Sequence, residues 1–142
     1  MYKILIADDD NAIRLLYQEE LEDEGYSVTT VNDSKNLTDI INHRQPDLIL
    51  LDVRLGENNG FDTLQWIRTR CCDVPVILCS AYPSCPYDIK SIGADYYVTK
   101  SVDLSELKLT IKKAFQRMMA DRDIIRPPFL GQHLYEINRE QL

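Results

Sequence analysis

Leu48-Ile49-Leu50-Leu51 is apolar at four consecutive positions and runs straight into Asp52. A strand that faces water on one side alternates apolar and polar residues. A strand with no polar position must be covered on both faces, which is the condition of a parallel sheet held between two helix layers. Val76-Ile77-Leu78 repeats the pattern. This requirement restricts the chain to an α/β architecture before any other residue is considered.

The remaining segments supply the alternation that such a sheet needs. Strands are expected over residues 2–7, 26–31, 47–52, 74–80 and 95–100, where β-branched and apolar residues cluster between turn formers. A first helix is expected over 11–25, with Ile13, Leu16, Tyr17 and Leu21 at helical spacing and Gly25 where a C-terminal glycine belongs. Ser34 is a plausible N-cap for a second helix bearing Leu37, Ile40 and Ile41, and Phe61, Leu64 and Ile67 mark a third. Residues 87–93 read as a short helix at best. The last helix is the clearest: Asp103 and Glu106 form a D-x-x-E start close to a capping box, and Leu104, Leu107, Ile111, Ala114 and Met118 follow on one stripe. Five strands alternating with five helices predict a doubly wound parallel sheet of order 2-1-3-4-5, with helices on both faces and right-handed crossovers.

After Met119 the periodicity breaks, and Pro127-Pro128 cannot continue a helix. The expected organisation is one domain over residues 1–119 and a C-terminal tail or start of a linker over 120–142. Phe129, Leu130, Leu134, Tyr135 and Ile137 make this tail apolar enough to dock on the domain or on a partner.

The 16 basic and 23 acidic residues give a net charge of −7. That balance argues against direct nucleic-acid binding and against an anionic membrane surface, both of which call for clustered cations. No apolar run approaches the roughly 20 residues of a membrane span. Met1-Tyr2-Lys3-Ile4 leads directly into a strand with no secretory signal pattern, so a cytoplasmic location is expected. Cys71, Cys72, Cys79 and Cys85 show neither CxxC spacing nor a metal-type pairing with His43 or His133. They read as reduced thiols, Cys79 as a small core residue.

In an open parallel sheet the functional crevice lies outside the carboxyl ends of the strands. The first strand ends in Asp8-Asp9-Asp10, the third in Asp52, the fourth in Ser80 and the fifth in Lys100. Strands one and three are neighbours in the expected order, so Asp8, Asp9 and Asp52 converge. Like charges this close raise one another's pKa, and a hard divalent cation with oxygen ligands relieves them. Two carboxylates, a backbone carbonyl and waters suit Mg²⁺. Lys100 adds a point charge for a carboxylate or a phosphoryl oxygen, and Ser80 adds a hydroxyl donor. The set reads as a site for a phosphoryl group on a carboxylate, with Asp52 as nucleophile. Asp10 stands beside the first helix start, where capping and a part in the site are both open. A nucleotide-hydrolysing loop of the form G-x-x-x-x-G-K-[ST] is absent, as is a G-x-G-x-x-G dinucleotide turn. Nothing suggests a sugar groove for a glycosidase pair.

"ILIADDD", "PDLILLDVRL", "PVILCSAY", "GADYYVTK" and the closing amphipathic helix together resemble the receiver domain of two-component response regulators, over roughly residues 1–119. The resemblance implies a flavodoxin-like fold and a signalling switch that catalyses only its own phosphorylation and dephosphorylation. It implies that Asp52 is the phospho-acceptor, Asp9 a direct Mg²⁺ ligand, Asp8 a ligand acting largely through water, and Arg54 the donor of a backbone carbonyl to the metal. By the same resemblance Ser80 is the hydroxyl that moves onto the phosphoryl group, Lys100 the lysine that contacts it, and Tyr97 the aromatic switch residue. Phosphorylation would then alter the face built from the fourth helix, fifth strand and fifth helix. The implied partners are a histidine kinase or phosphotransfer protein as donor and a downstream protein or output domain. The implied state is a monomer or a phosphorylation-dependent dimer. The alternative is a non-phosphorylated pseudo-receiver serving as a protein-interaction module.

Three departures from the family pattern carry expectations. Lys100-Ser101 stands where Lys-Pro with a cis peptide is usual. A cis bond costs about 2.5–4 kcal/mol before Ser against roughly 0.5–1 before Pro, so a trans peptide is predicted. Gly56 replaces a usual proline and loosens the loop after Asp52. The stretch "YPSCPYD", with Pro83 and Pro86, is shorter than usual, which predicts a short or displaced fourth helix. Arg54 and Tyr82, each two residues past a site residue, are expected to flank the phosphoryl group and to limit attack by water.

Overall fold

The computed structural model describes residues 1–125 except 36, 56–57, 71–72, 83–84, 86–87 and 90–91. The expectations for Gly56, Cys71, Cys72, Pro83, Pro86 and the tail from residue 126 onward lie outside the described residues. The elements in chain order are β1 (Lys3–Ala7), α1 (Asn11–Asp23), β2 (Ser27–Val31), α2 (Leu37–Arg44), β3 (Leu48–Asp52), α3 (Gly60–Arg70), β4 (Val76–Ser80), β5 (Tyr96–Thr99) and α4 (Ser105–Ile125). A two-residue antiparallel ladder joins Arg54–Leu55 to Asn58–Asn59 between β3 and α3. The chain divides into two compact units, Met1–Lys108 and Leu109–Leu142.

In the first unit the five strands form one parallel sheet of order β2-β1-β3-β4-β5. β3 is buried along its whole length, Asp52 included. Leu5, Ala7, Ile49, Leu51, Val76 and Leu78 share one core with Leu37 and Ile41 of α2 and Leu64 and Ile67 of α3. The alternate positions Ile4, Ile6, Leu48, Leu50 and Ile77 are buried as well, so both sheet faces are covered, as an apolar central strand demands. The step from β1 to β2 runs opposite to the later steps, so crossovers of one hand place α1 on the face opposite α2 and α3. Burying each of these large side chains stabilises the fold by about 1.5–3 kcal/mol.

The local signals behave physically as expected at α1. Asp10 caps it, its Oδ1 accepting from the Ala12 and Ile13 amides at 2.9 and 3.1 Å. Gly25, just past the helix, sits at φ +95°, a left-handed conformation that favours glycine. At the other end of the sheet Arg68 of α3 acts as a clamp. It donates to the carbonyls of Gly93 and Val74 and pairs with Asp95, whose carboxylate also accepts from the Val76 amide.

The short helix expected over 87–93 lies partly outside the described residues; within them Ile92 N–H donates to the Asp88 carbonyl at 3.2 Å, a bond of helical type. At the start of α4, Asp103 N–H donates to Ser101 Oγ at 3.1 Å, and Asp103 Oδ1 accepts from Ser105 N–H and Oγ–H. One expectation is corrected: the helix continues past Met119 to Ile125. In the second unit α4 carries the buried residues Ile111, Ala114 and Phe115; Phe115 extends the expected stripe.

Candidate functional site

The sheet register decides which side chains meet. Ala7 is level with Leu51, Asp52 with Cys79, and Ser80 with Thr99. β1, β3, β4 and β5 therefore end together, and the residues at or just past those ends share one edge. They open into a cleft of about 710 Å³ lined by Asp9, Asp10, Asp52, Val53, Arg54, Asn59, Phe61, Ser80, Ala81, Tyr82 and Lys100.

Asp8, Asp9 and Asp52 each offer a carboxylate oxygen, and these oxygens lie within 4.8 Å of one another. Asp8 and Asp52 are buried, whereas Asp9 is exposed. Asp8 Oδ1 accepts from the Asp10 amide at 2.9 Å, and Arg14 of α1 donates to the Asp8 carbonyl at 2.8 Å. Asp52 Oδ1 accepts from the Arg54 amide at 3.1 Å. Lys100 Nζ stands 3.0 Å from Asp8 Oδ2 and 2.9 Å from Asp52 Oδ2. Three oxygen donors of hard character, two of them fixed in the protein interior, suit a small divalent cation such as Mg²⁺.

Burial pushes the Asp52 carboxyl up to about 6, against the hydrogen bonds from Lys100 and Arg54; the Asp8 charge adds to the rise. Burial alone would lower the Lys100 ammonium, but the hydrogen bonds to Asp52 and Asp8 outweigh it and hold Lys100 above its usual range. Cys79 lies behind Asp52 in the sheet. Burial pushes its thiol up to about 12, so it stays protonated at neutral pH and is a poor nucleophile. Cys79 and the half-buried Cys85 are free thiols.

The structure brings every candidate on the strand ends to this cleft or its rim. Ser80 is buried, and its Oγ accepts from the Tyr82 amide at 3.1 Å. Tyr97 on β5 donates through its hydroxyl to the Tyr82 carbonyl at 2.8 Å. Tyr82 backbone is thus gripped by both Ser80 and Tyr97, while its side chain is exposed. The Arg54 side chain is exposed at the mouth. The Lys100-Ser101 peptide is trans, no cis bond occurring among the described residues, and Lys100 still reaches both acids.

Two contributors escaped sequence reasoning. Gly60 opens α3 so close to the end of β3 that a Cβ there would fall 2.5 Å from the Asp52 carbonyl oxygen and 2.7 Å from Val53 Cα. No local signal marks it, since glycine is common at helix starts for conformational reasons alone. Tyr17 is buried on α1, and burial pushes its hydroxyl up to about 12, the charges of Cys79 and Asp8 adding to the rise and that of Lys100 opposing it. A tyrosine among aliphatic stripe positions brings a hydroxyl that needs a partner.

Comparison with known proteins agrees with this geometry. The family model described as "Response regulator receiver domain" matches residues 4–112. The chain is 34% identical over 116 residues to the alginate biosynthesis transcriptional regulatory protein AlgB of Pseudomonas putida, covering 80% of this chain and 26% of AlgB. It is 30% identical over 142 residues to the response regulator MprA of Mycobacterium sp. (strain KMS), covering 97% of this chain and 62% of MprA. The chain thus spans about a quarter of the one relative and less than two thirds of the other. Among solved structures, the response regulator TrrA of Thermotoga maritima in complex with Mg(2+)-BeF superposes with a TM-score of 0.73 at 35% identity, covering 80% of this chain and 99% of TrrA. TrrA is also seen in complex with the histidine kinase ThkA. With the family model covering most of its length and the sheet, its order and its acid-lined edge in agreement, the chain belongs to the response regulator receiver domain family.

Proposed function

We propose that this receiver domain is a switch set by Mg²⁺-dependent transfer of a phosphoryl group to Asp52 from a histidine kinase or phosphotransfer protein. The observation that carries the reading is the clustering at one strand edge of three carboxylates with Lys100 bridging two of them. A structural ion pair needs one acid per cation. Three acids around one ammonium leave net negative charge for a divalent ion to neutralise.

Asp8, Asp9 and Asp52 would hold the ion, joined by the backbone carbonyl of Arg54. In extended backbone the N–H and C=O of one residue point to the same side, and the Arg54 N–H already reaches Asp52 Oδ1. When bound, Mg²⁺ supplies charge neutralisation and a fixed point for a phosphoryl oxygen. The protein's residues do the remainder. Asp52, held rigidly by a wholly buried strand, presents a carboxylate oxygen to phosphorus. The P–N bond of a phosphohistidine donor breaks with its electron pair on nitrogen as the P–O bond forms. Lys100 pairs with the phosphoryl oxygens as Asp52 surrenders its charge. Ser80 Oγ turns from the Tyr82 amide to donate to the phosphoryl group, which loosens the Tyr82 backbone and with it the hydroxyl contact of Tyr97. This is a local electrostatic event that biases a two-state surface near β5. Arg54 and Tyr82, at the cleft mouth, would limit water attack on the acyl phosphate. The solved relative supports the reading, since beryllium fluoride is a tetrahedral anion of phosphoryl size.

On this reading residues 1–119 are the receiver and 120–142 a tail or the start of a linker. The protein would act in the cytoplasm as a monomer or phosphorylation-dependent dimer and address a downstream protein or output domain. Among the described residues no helix is long and apolar enough to cross a membrane. The test is intact mass after incubation with Mg²⁺ and acetyl phosphate. Gain of one phosphoryl group, abolished in Asp52→Asn and by chelation, is expected. A folded protein that gains none from any donor would instead be a binding module.

A further inference from the structure

Asp8 and Asp9 lie just past the end of β1, where the sheet stops supplying partners. The Asp8 N–H still donates to the Val31 carbonyl at 3.1 Å. β2 ends at Val31, and among the described residues no backbone amide reaches the Asp8 carbonyl. Asp8 is only 3% exposed, and a buried carbonyl left without a donor is costly. Arg14 supplies the donor. One guanidinium N–H reaches the Asp8 carbonyl at 2.8 Å. The other terminal nitrogen donates to Asn11 Oδ1, which fixes the plane of the fork. The Arg14 backbone is held in turn, its N–H donating to the Asp10 carbonyl at 2.9 Å. None of the ion pairs among the described residues includes Arg14, although it stands beside an acid cluster. Its charge is directed at a backbone group instead.

That carbonyl is one half of the peptide joining Asp8 to Asp9. The Asp8 carboxylate has other restraints, the Asp10 amide at 2.9 Å and Lys100 at 3.0 Å. Asp9 is exposed, so the direction of its carboxylate follows from how the peptide before it is turned. We infer that Arg14 is a positioning residue: its guanidinium pins the Asp8-Asp9 peptide and thereby aims the Asp9 carboxylate at Asp8 and Asp52, shaping the cluster for a divalent cation. The part played toward the cation rests on the Mg²⁺ reading of the cluster; the pinned peptide does not.

Arg14 has two effects on a cation, and they differ in sign. As a positive charge beside Asp8 it repels the ion, so loss of the charge alone should tighten binding. As the group that pins the peptide it favours the ion, so its loss should weaken binding. A charge-assisted hydrogen bond corresponds to about a ten-fold effect or more on the property it controls.

Two measurements on the full chain test the inference, with thermal melts confirming that each variant is folded. The first is calorimetric titration with Mg²⁺ of wild type, Arg14→Met, which keeps an unbranched stem without donors, and Arg14→Lys, which keeps a charged donor. R14M should weaken Mg²⁺ binding about ten-fold and R14K should recover most of the loss. Unchanged or tighter binding in R14M overturns the inference, as does R14K binding no better than R14M. The second is ¹⁵N relaxation of the Asp9 amide in chelator. Its order parameter should match rigid backbone, about 0.85, in wild type and fall toward the flexible range, below about 0.6, in R14M. Equal values overturn the inference. Absence of Mg²⁺ binding by the wild type overturns the cation reading instead, and the relaxation measurement then decides the pinned peptide by itself.

Discussion

Lys100 Nζ lies 2.9 Å from Asp52 Oδ2 although the peptide after Lys100 is trans. The ammonium is 15% exposed and the carboxylate 5%, so this pair is sheltered from solvent and salt in a way that surface pairs are not. Asp8 shares the same cation at 3.0 Å. Two buried acids therefore depend on one base.

Removing that base leaves both acids uncompensated. Lys100→Ala should destabilise the ion-free protein by about 3–5 kcal/mol, the usual penalty for orphaning a buried partner. Millimolar Mg²⁺ should recover part of the loss. Urea denaturation with EDTA and with Mg²⁺ checks this; equal destabilisation in both conditions would show that the acids do not share an ion.

Stability in EDTA should also depend on pH through Asp52. Its folded pKa is raised to about 6, chiefly by burial, above the ordinary unfolded carboxylate value of about 4. Between those values the folded protein holds more protons than the unfolded one, so stability falls as pH rises through this window and is flat above it. Asp52→Asn removes the buried charge. It should be more stable than wild type at pH 8 by about 1–3 kcal/mol, with the gap closing toward pH 4. Melting temperatures across this range, in chelator, measure it; a gap that widens on acidification would contradict the burial account.

Gly60 is expected to matter for sterics at the site and Gly25 for backbone conformation away from it. Gly60→Ala places a Cβ against backbone atoms of residues 52 and 53, which cannot swing aside as a side chain would. It should cost about 1–3 kcal/mol and slow phosphoryl uptake, because the strain falls on the end of β3. Gly25→Ala meets open space but sits at φ +95°. It should cost about 1–2 kcal/mol and leave uptake unchanged. Denaturation midpoints and uptake rates for the two variants separate the effects.

Arg68 offers the opposite control, at the end of the sheet away from the cleft. Arg68→Ala removes the donors to the Gly93 and Val74 carbonyls and leaves Asp95 with the Val76 amide, and should destabilise by about 2–3 kcal/mol. Uptake by the folded fraction should be unaltered. A large kinetic effect would mean that this clamp communicates with the site.

What was legible in the sequence follows from which interactions are periodic. Strands apolar on both faces, helical stripes and acids at strand ends all repeat on a local rule, so the sheet order and the meeting of Asp8, Asp9, Asp52, Ser80 and Lys100 could be read in advance. The unread features are pairings between distant segments. Arg68 of α3 meets Asp95 and the Gly93 carbonyl ahead of β5, and Gly60 is needed only because α3 starts against β3. The D-x-x-E pattern at Asp103 marked the start of α4, where Asp103 Oδ1 accepts from the Ser105 amide, but the bond from the Asp103 amide to Ser101 Oγ has no periodic signature.

The central claim is that phosphate is held covalently on Asp52. Borohydride reduces an acyl phosphate to an alcohol, converting the modified aspartate to homoserine, and peptide mass spectrometry locates it. After incubation with Mg²⁺ and acetyl phosphate, homoserine at position 52 alone is the predicted result. Homoserine at Asp8 or Asp9, or none at any position in a protein whose mass shows phosphate, would contradict the account.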